Sequence, residues 1–108
     1  MQISDLSNNP HFELVNQGEN NQINDIFVSD LMSHVMGNAS PGDLLVTVLN
    51  NINVIGVVSL LDLSGVVFTH NIKISEDIIK KANDLDIPIY KTKLSTKDTV
   101  VLLHEISL

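Results

Sequence analysis

No cysteine occurs in the 108 residues, and aromatic side chains make up only 4% of them. The first absence excludes disulfides, thiolate nucleophiles and cysteine-ligated zinc or iron–sulfur centres within this polypeptide. The opening MQISDLSNNP has no basic segment followed by an apolar run and a small-residue cleavage site, so it does not read as a secretory signal, and the cytoplasm is the expected location. Long apolar runs are lacking too. The longest, 54–68, is interrupted by Gly56, Ser59, Asp62, Ser64 and Gly65, which leaves no candidate membrane span. Positive charge is scarce: six Lys+Arg stand against thirteen Asp+Glu, a net charge of −7. Such a chain repels a phosphate backbone, and no basic stripe with interleaved aromatics offsets this, so neither nucleic acid nor membrane is an expected partner.

Catalytic signatures are missing as well. No G-x-x-x-x-G-K-[ST] loop is present, and none of Gly18, Gly37, Gly42, Gly56 and Gly65 is followed by lysine. There is no G-x-S-x-G elbow. The histidines at 11, 34, 70 and 104 show neither H-x-H nor H-E-x-x-H spacing. No cofactor, metal or catalytic residue is therefore expected.

What is present is an aliphatic core. Apolar residues reach 44% against 18% charged, the balance of a packed globular unit, and residues 1–108 read as one domain. The first two dozen residues, rich in Asn, Gln and Ser, hold only a short alternation at Phe12, Leu14 and Ile23, read as a small edge strand before a polar turn. From Asp25 onward, β-branched runs alternate with segments of helical length. That order predicts an α/β fold in three layers, a mostly parallel sheet flanked by helices.

The strands are read at Ile26–Val28, Leu44–Leu49, Val66–Thr69 and Ile89–Lys91. Between them, Leu31, Met32, Val35 and Met36 share one helical face, ending near Gly37. Asn53–Leu63 is apolar nearly all round, and its length favours a buried helix with Gly65 as the glycine that reverses the chain. Ser75 is placed to cap a third helix, with Glu76 and Asp77 in its first turn and Ile78, Ile79, Ala82 and Leu85 inward. Pro88 forces the extended entry to the next strand. Ser95-Thr96-Lys97-Asp98 opens the last helix with a capping box, and Val100, Leu103 and Ile106 have core spacing.

In open parallel sheets, ligands bind beyond the carboxyl ends of the strands. Here that rule selects Ser29, Asp30, Thr47, Asn51, Thr69, His70, Asn71, Lys73, Thr92, Ser95 and Thr96. Each has a plainer reading. Ser29-Asp30 and Ser95-Thr96 suit helix capping, although free N–H groups at a helix start also favour an anion. His70 could donate to a ligand or lie in a solvated loop, and Lys73 could pair with a phosphate or simply solubilise its loop. The Asp84/Asp86 pair reads as exposed charge, and Met32 with Met36 as core or dimer packing.

The segments FVSDLMSHVMGNA, PGDLLVTV, SGVVFTHN and DIPIYKTKLST together resemble the DRTGG domain, the family that includes the N-terminal domain of HPr kinase/phosphorylase and modules of some phosphotransacetylases and CBS-containing pyrophosphatases. The likeness covers nearly the whole chain. It is strongest to small stand-alone members in which V-S-D-L and P-I-x-x-T-x-L-S recur, some encoded beside iron-hydrogenase subunits. Two departures stand out: Thr69-His70-Asn71 occupies the place of Thr-Gly-Gly, and the Gly-Asp-Arg element is missing, so no anion contact of that arginine carries over.

The resemblance implies an α/β domain that commonly forms a homodimer and serves as a regulatory or unassigned partner to a catalytic domain, which here could be a separately encoded enzyme or redox protein. Three functions compete: a non-catalytic sensor whose strand-end loops hold a small anionic ligand such as a nucleotide, an interaction subunit using the apolar surface of 54–63 or 31–36, and an enzyme resting only on His70 and the nearby hydroxyls.

Overall fold

The computed structural model describes residues 1–107. One five-stranded sheet organises it, built from β1 (Glu13–Leu14), β2 (Asp25–Val28), β3 (Asp43–Thr47), β4 (Gly65–Phe68) and β5 (Ile89–Lys91) in the order β1-β5-β4-β3-β2. Strands β2 to β5 are mutually parallel, and β1 joins the β5 edge antiparallel, with Glu13 opposite Lys91. Helices α1 (Met32–Asn38), α2 (Asn53–Leu60) and α3 (Glu76–Asp84) make the successive crossovers, and α4 (Thr96–Ser107) follows β5. This is the expected α/β architecture.

Alternation along the strands sorts the core into two layers. Leu45, Val66, Phe68 and Ile89 meet Val35 of α1, Val54 and Val58 of α2, and Ile78 and Ala82 of α3. Leu44, Val46, Val67 and Tyr90 face the other way, onto Leu103 of α4 and onto Ile3, Leu6 and Phe12 from the amino-terminal segment. That second layer includes a 3₁₀-helix, Ile3–Asn8, which the polar composition of the first residues hid. Its Ser7 meets the hydroxyl of the buried Tyr90 at 2.6 Å, giving that oxygen a partner inside the core.

Several element details differ from the sequence reading. Strand β3 ends at Thr47, not Leu49, because Thr47 Oγ1 turns back to accept the N–H of Leu49. Gly65 is a strand residue. The chain reverses after α2 at Asp62, whose φ is 56°, with Asp62 N donating to Ser59 O and Leu63 N to Val58 O. Helix α3 ends in the same pattern: Asp86 has φ 56°, its N–H meets Asn83 O, and Ile87 N meets Ala82 O. Both are Schellman closures with aspartate in the left-handed position that usually takes glycine.

Four residues assigned to the core are on the surface: Leu31 (64% exposed), Met36 (49%), Leu85 (43%) and Ile106 (39%). Leu31 and Leu85 are the cap residues of α1 and α3, Ile106 lies in the last turn of α4, and Met36 is exposed beside the fully buried Val35. The inward positions on α4 are Thr99 and Leu103, flanked by the half-buried Val100 and Leu102.

Candidate functional site

Because β2 to β5 are parallel, their carboxyl ends and the loops that follow them share one side of the molecule. Hydrogen bonds link those loops in series. Asp30, just after β2, accepts from Thr47 Oγ1 and from Val48 N, both at 2.8 Å. Thr47 O receives the N–H of Thr69 at 3.1 Å, and Thr69 Oγ1 meets Thr96 Oγ1 at 2.8 Å. The buried hydroxyls of Thr47 and Thr69 thereby carry a continuous path from the β2 loop to the start of α4.

The capping assignment for Asp30 is overturned. Its carboxylate turns to the neighbouring strand, and α1 begins without a side-chain cap at Leu31. Ser29 still serves locally, its Oγ accepting from Leu31 N at 3.1 Å. At the other end of the series, Ser95 does cap α4 through Asp98 N at 3.0 Å, as Ser75 caps α3 through Ile78 N at 3.3 Å.

Thr69-His70-Asn71-Ile72 forms a tight turn. His70 and Asn71 have φ of 59° and 53°, and Ile72 N reaches Thr69 O at 3.4 Å, the pattern of a type I′ turn. Two successive left-handed residues are the setting in which a Gly-Gly pair carries no steric cost. Here the side chains occupy it, and His70 puts its Nε2 to use by accepting the N–H of Thr96 at 3.1 Å. The turn is also fastened to the β5 loop by His70 N to Leu94 O at 2.8 Å and Asn71 N to Thr92 O at 2.9 Å.

Of the eleven residues picked from sequence, Asp30, Thr47, Thr69, His70, Asn71, Thr92, Ser95 and Thr96 are thus drawn together at the loops after β2 to β5. Ser29 joins them through its N–H on Val46 O at 3.3 Å. Asn51 and Lys73 stand outside this series: Asn51 Oδ1 accepts from Asn53 N at the start of α2, and the Lys73 carbonyl accepts from Asn50 Nδ2 at 2.9 Å.

Much of the polar chemistry of the central loops is therefore spent on itself. Open space lies beside them, in a cavity of about 380 Å³ at the β1–β5 edge, lined by Pro10, His11, Glu13, Asn71, Lys91, Thr92 and Lys93. Only Asn71 and Thr92 of these were singled out from sequence. The available signal was the pair of lysines, Lys91 and Lys93, flanking Thr92 where strand β5 ends. Its importance depended on β1, whose antiparallel pairing carries His11 and Glu13 to the same place.

No group of three or more potential metal ligands occurs among the described residues, and no helix among them is long and apolar enough to cross a membrane.

Comparison with known proteins yields a family and a fold. The model of the DRTGG domain matches residues 8–106. No curated protein sequence matches. Among solved structures, the CBS and DRTGG domains of the regulatory region of Clostridium perfringens pyrophosphatase, complexed with the activator diadenosine tetraphosphate, are similar with a TM-score of 0.75 at 16% sequence identity. The match covers 94% of this chain and 45% of that one, so the chain spans less than half of its neighbour's length.

Proposed function

The chain belongs to the DRTGG domain family, and on that premise we propose that it is a non-catalytic regulatory module which holds a small anionic ligand, such as a nucleotide, at the loops following its parallel strands. The supporting observation is the hydrogen-bonded series from Asp30 through Thr47 and Thr69 to Thr96. A ligand that displaces one of these loops works against partners on the next, so occupancy at one loop bears on its neighbours. The regulatory setting and nucleotide activator of the pyrophosphatase neighbour add support at the level of analogy.

A thermal-shift series with mononucleotides, dinucleoside polyphosphates and acyl phosphates tests this reading. Stabilisation that grows with ligand concentration is the expected result, since a ligand that binds only the folded state raises its stability. A flat response to all of them at millimolar concentration would sink it.

A second reading, a homodimeric interaction subunit, has its own observation. Strand β2 is a sheet edge, and near it Val28, Leu31 and Met36 are exposed. The other surface considered from sequence, 54–63, is spent in the core: Val54, Ile55, Val57, Val58 and Leu63 are all buried, and Leu60 is exposed. Sedimentation at micromolar concentration distinguishes the two states, and a monomer that persists as concentration rises would count against the dimer.

A further inference from the structure

The chain contains no arginine, and its six lysines all fall between Lys73 and Lys97, although acidic residues run from Asp5 to Glu105. Among the described residues the sole salt bridge is Lys80–Asp84, at 3.1 Å on the surface of α3. Among the described residues Lys91 and Lys93 form no salt bridge, and the one carboxylate near them is Glu13, across the strand pair from Lys91. Both lysines line one cavity, together with that single carboxylate.

The groups around them are equally uncommitted. No described hydrogen bond engages the side chain of His11, Glu13, Asn71, Lys91 or Lys93. Their backbones, by contrast, are fixed. Lys91 is locked in register opposite Glu13, Asn71 N is tied to Thr92 O, and His11 N is held by Asn9 Oδ1 at 2.9 Å. The polar groups of these side chains are therefore available to a ligand, on backbone positions that are held in place.

We propose that this cavity binds a nucleoside phosphate, with Lys91 and Lys93 meeting the phosphate oxygens and His11 and Asn71 adding hydrogen bonds. The proposal rests on the ligand-binding reading above and gives it a location, beside the central loops rather than among them. Phosphate is favoured because two adjacent ammonium groups outweigh the one carboxylate in the lining. The nucleoside is favoured by Glu13 and Pro10. A lone carboxylate accepts from ribose hydroxyls or an exocyclic amine, and a proline ring offers apolar surface to a base or sugar. A volume of about 380 Å³ falls at the small end of the roughly 300–1,000 Å³ usual for small-molecule sites, the scale of a mononucleotide.

The fastening of Asn71 N to Thr92 O gives the site a purpose beyond binding. Both residues line the cavity, and each belongs to a different strand-end loop. Occupancy therefore bears directly on the 69–72 turn and, through it, on the Thr69–Thr96 contact.

The test is a titration of the full ¹⁵N-labelled chain with ADP, with inorganic phosphate and adenosine as separate arms, followed by amide shifts and repeated on a Lys91→Met/Lys93→Met variant. The expected result is saturable shifts clustered at 11–13, 71 and 91–93, weaker binding of phosphate than of ADP, and at least a tenfold loss of ADP affinity in the variant. Shifts confined to 29–30, 47–48 and 95–96, with affinity unchanged in the variant, would overturn the proposed location and leave nucleotide binding standing. No shift with ADP would overturn both. Phosphate binding as tightly as ADP would overturn the nucleoside part. Should the variant lose its dispersed spectrum, Glu13→Gln serves instead: removing the one carboxylate should tighten inorganic phosphate severalfold, and unchanged or weaker binding would count against the site.

Discussion

The side-chain amide of Asn16 pairs with Ile89 as one more residue of β1 would. Its Oδ1 accepts the N–H of Ile89 at 2.8 Å, while Nδ2 donates to Ile87 O at 3.0 Å and to Asn83 Oδ1 at 2.9 Å. Strand β1 stops at Leu14, yet the edge of β5 stays satisfied, because an amide side chain presents the same donor and acceptor as a peptide group.

Asn16→Ala removes the side-chain partner of Ile89 N on β5 and of Ile87 O just before it, and each buried group left unpaired costs about 1–3 kcal/mol. A loss of at least ~2 kcal/mol in urea unfolding is expected, with faster exchange of the Ile89 amide. Asn16→Asp should not rescue it, since a carboxylate oxygen would face Ile87 O. Equal stability of Asn16→Ala and the parent protein would show that water replaces the amide at no cost.

Asp30 supports a second prediction. Asp30→Ala removes the shared acceptor of Thr47 Oγ1 and Val48 N, so the buried hydroxyl loses its outlet. The expected loss is about 1–3 kcal/mol. Asp30→Asn keeps an oxygen in place and should recover much of that. If the asparagine variant were as unstable as the alanine one, the interaction would depend on charge rather than on an acceptor.

The aspartates at the helix ends yield a gain. Asp62 and Asp86 each hold a left-handed backbone and put a negative charge at the negative end of a helix dipole. Replacing either by glycine removes a steric cost of about 1–2 kcal/mol, against the extra chain entropy that glycine loses on folding. A net rise of roughly 0.5–1 kcal/mol is expected for each variant in denaturant melts. A lower midpoint for both would mean that the carboxylates form contacts that outweigh the backbone relief.

How far the sequence carries depends on the range of each interaction. Ser75 and Ser95 were legible as caps because their partners, Ile78 N and Asp98 N, lie three residues on, within one turn of helix. Asp30 was misread because its partner is seventeen residues away on another strand. Helical spacing identified Val35, Ile78, Ala82 and Leu103 as inward, and it gave Leu31, Met36, Leu85 and Ile106 the same standing. Periodicity reports a direction, not whether a neighbour extends far enough to cover it. The β1–β5 cavity was the least visible feature, since it exists only once Glu13 is in register with Lys91 across most of the chain.

His70 allows backbone and side-chain effects to be separated. Its φ of 59° strains any residue with a Cβ, whereas its Nε2 contributes by accepting from Thr96 N. His70→Ala keeps the strain and loses the acceptor, so it should cost about 0.5–1 kcal/mol, the size of an exposed helix cap. His70→Gly loses the same acceptor but relieves the backbone by about 1–2 kcal/mol, offset in part by the entropy of glycine. It should therefore match or exceed the parent protein and stand about 1 kcal/mol above the alanine variant. The comparison is made by urea unfolding of all three proteins under one buffer condition. Equal stability of the glycine and alanine variants would show that relief of the left-handed backbone at residue 70 is no larger than the entropy that glycine loses on folding.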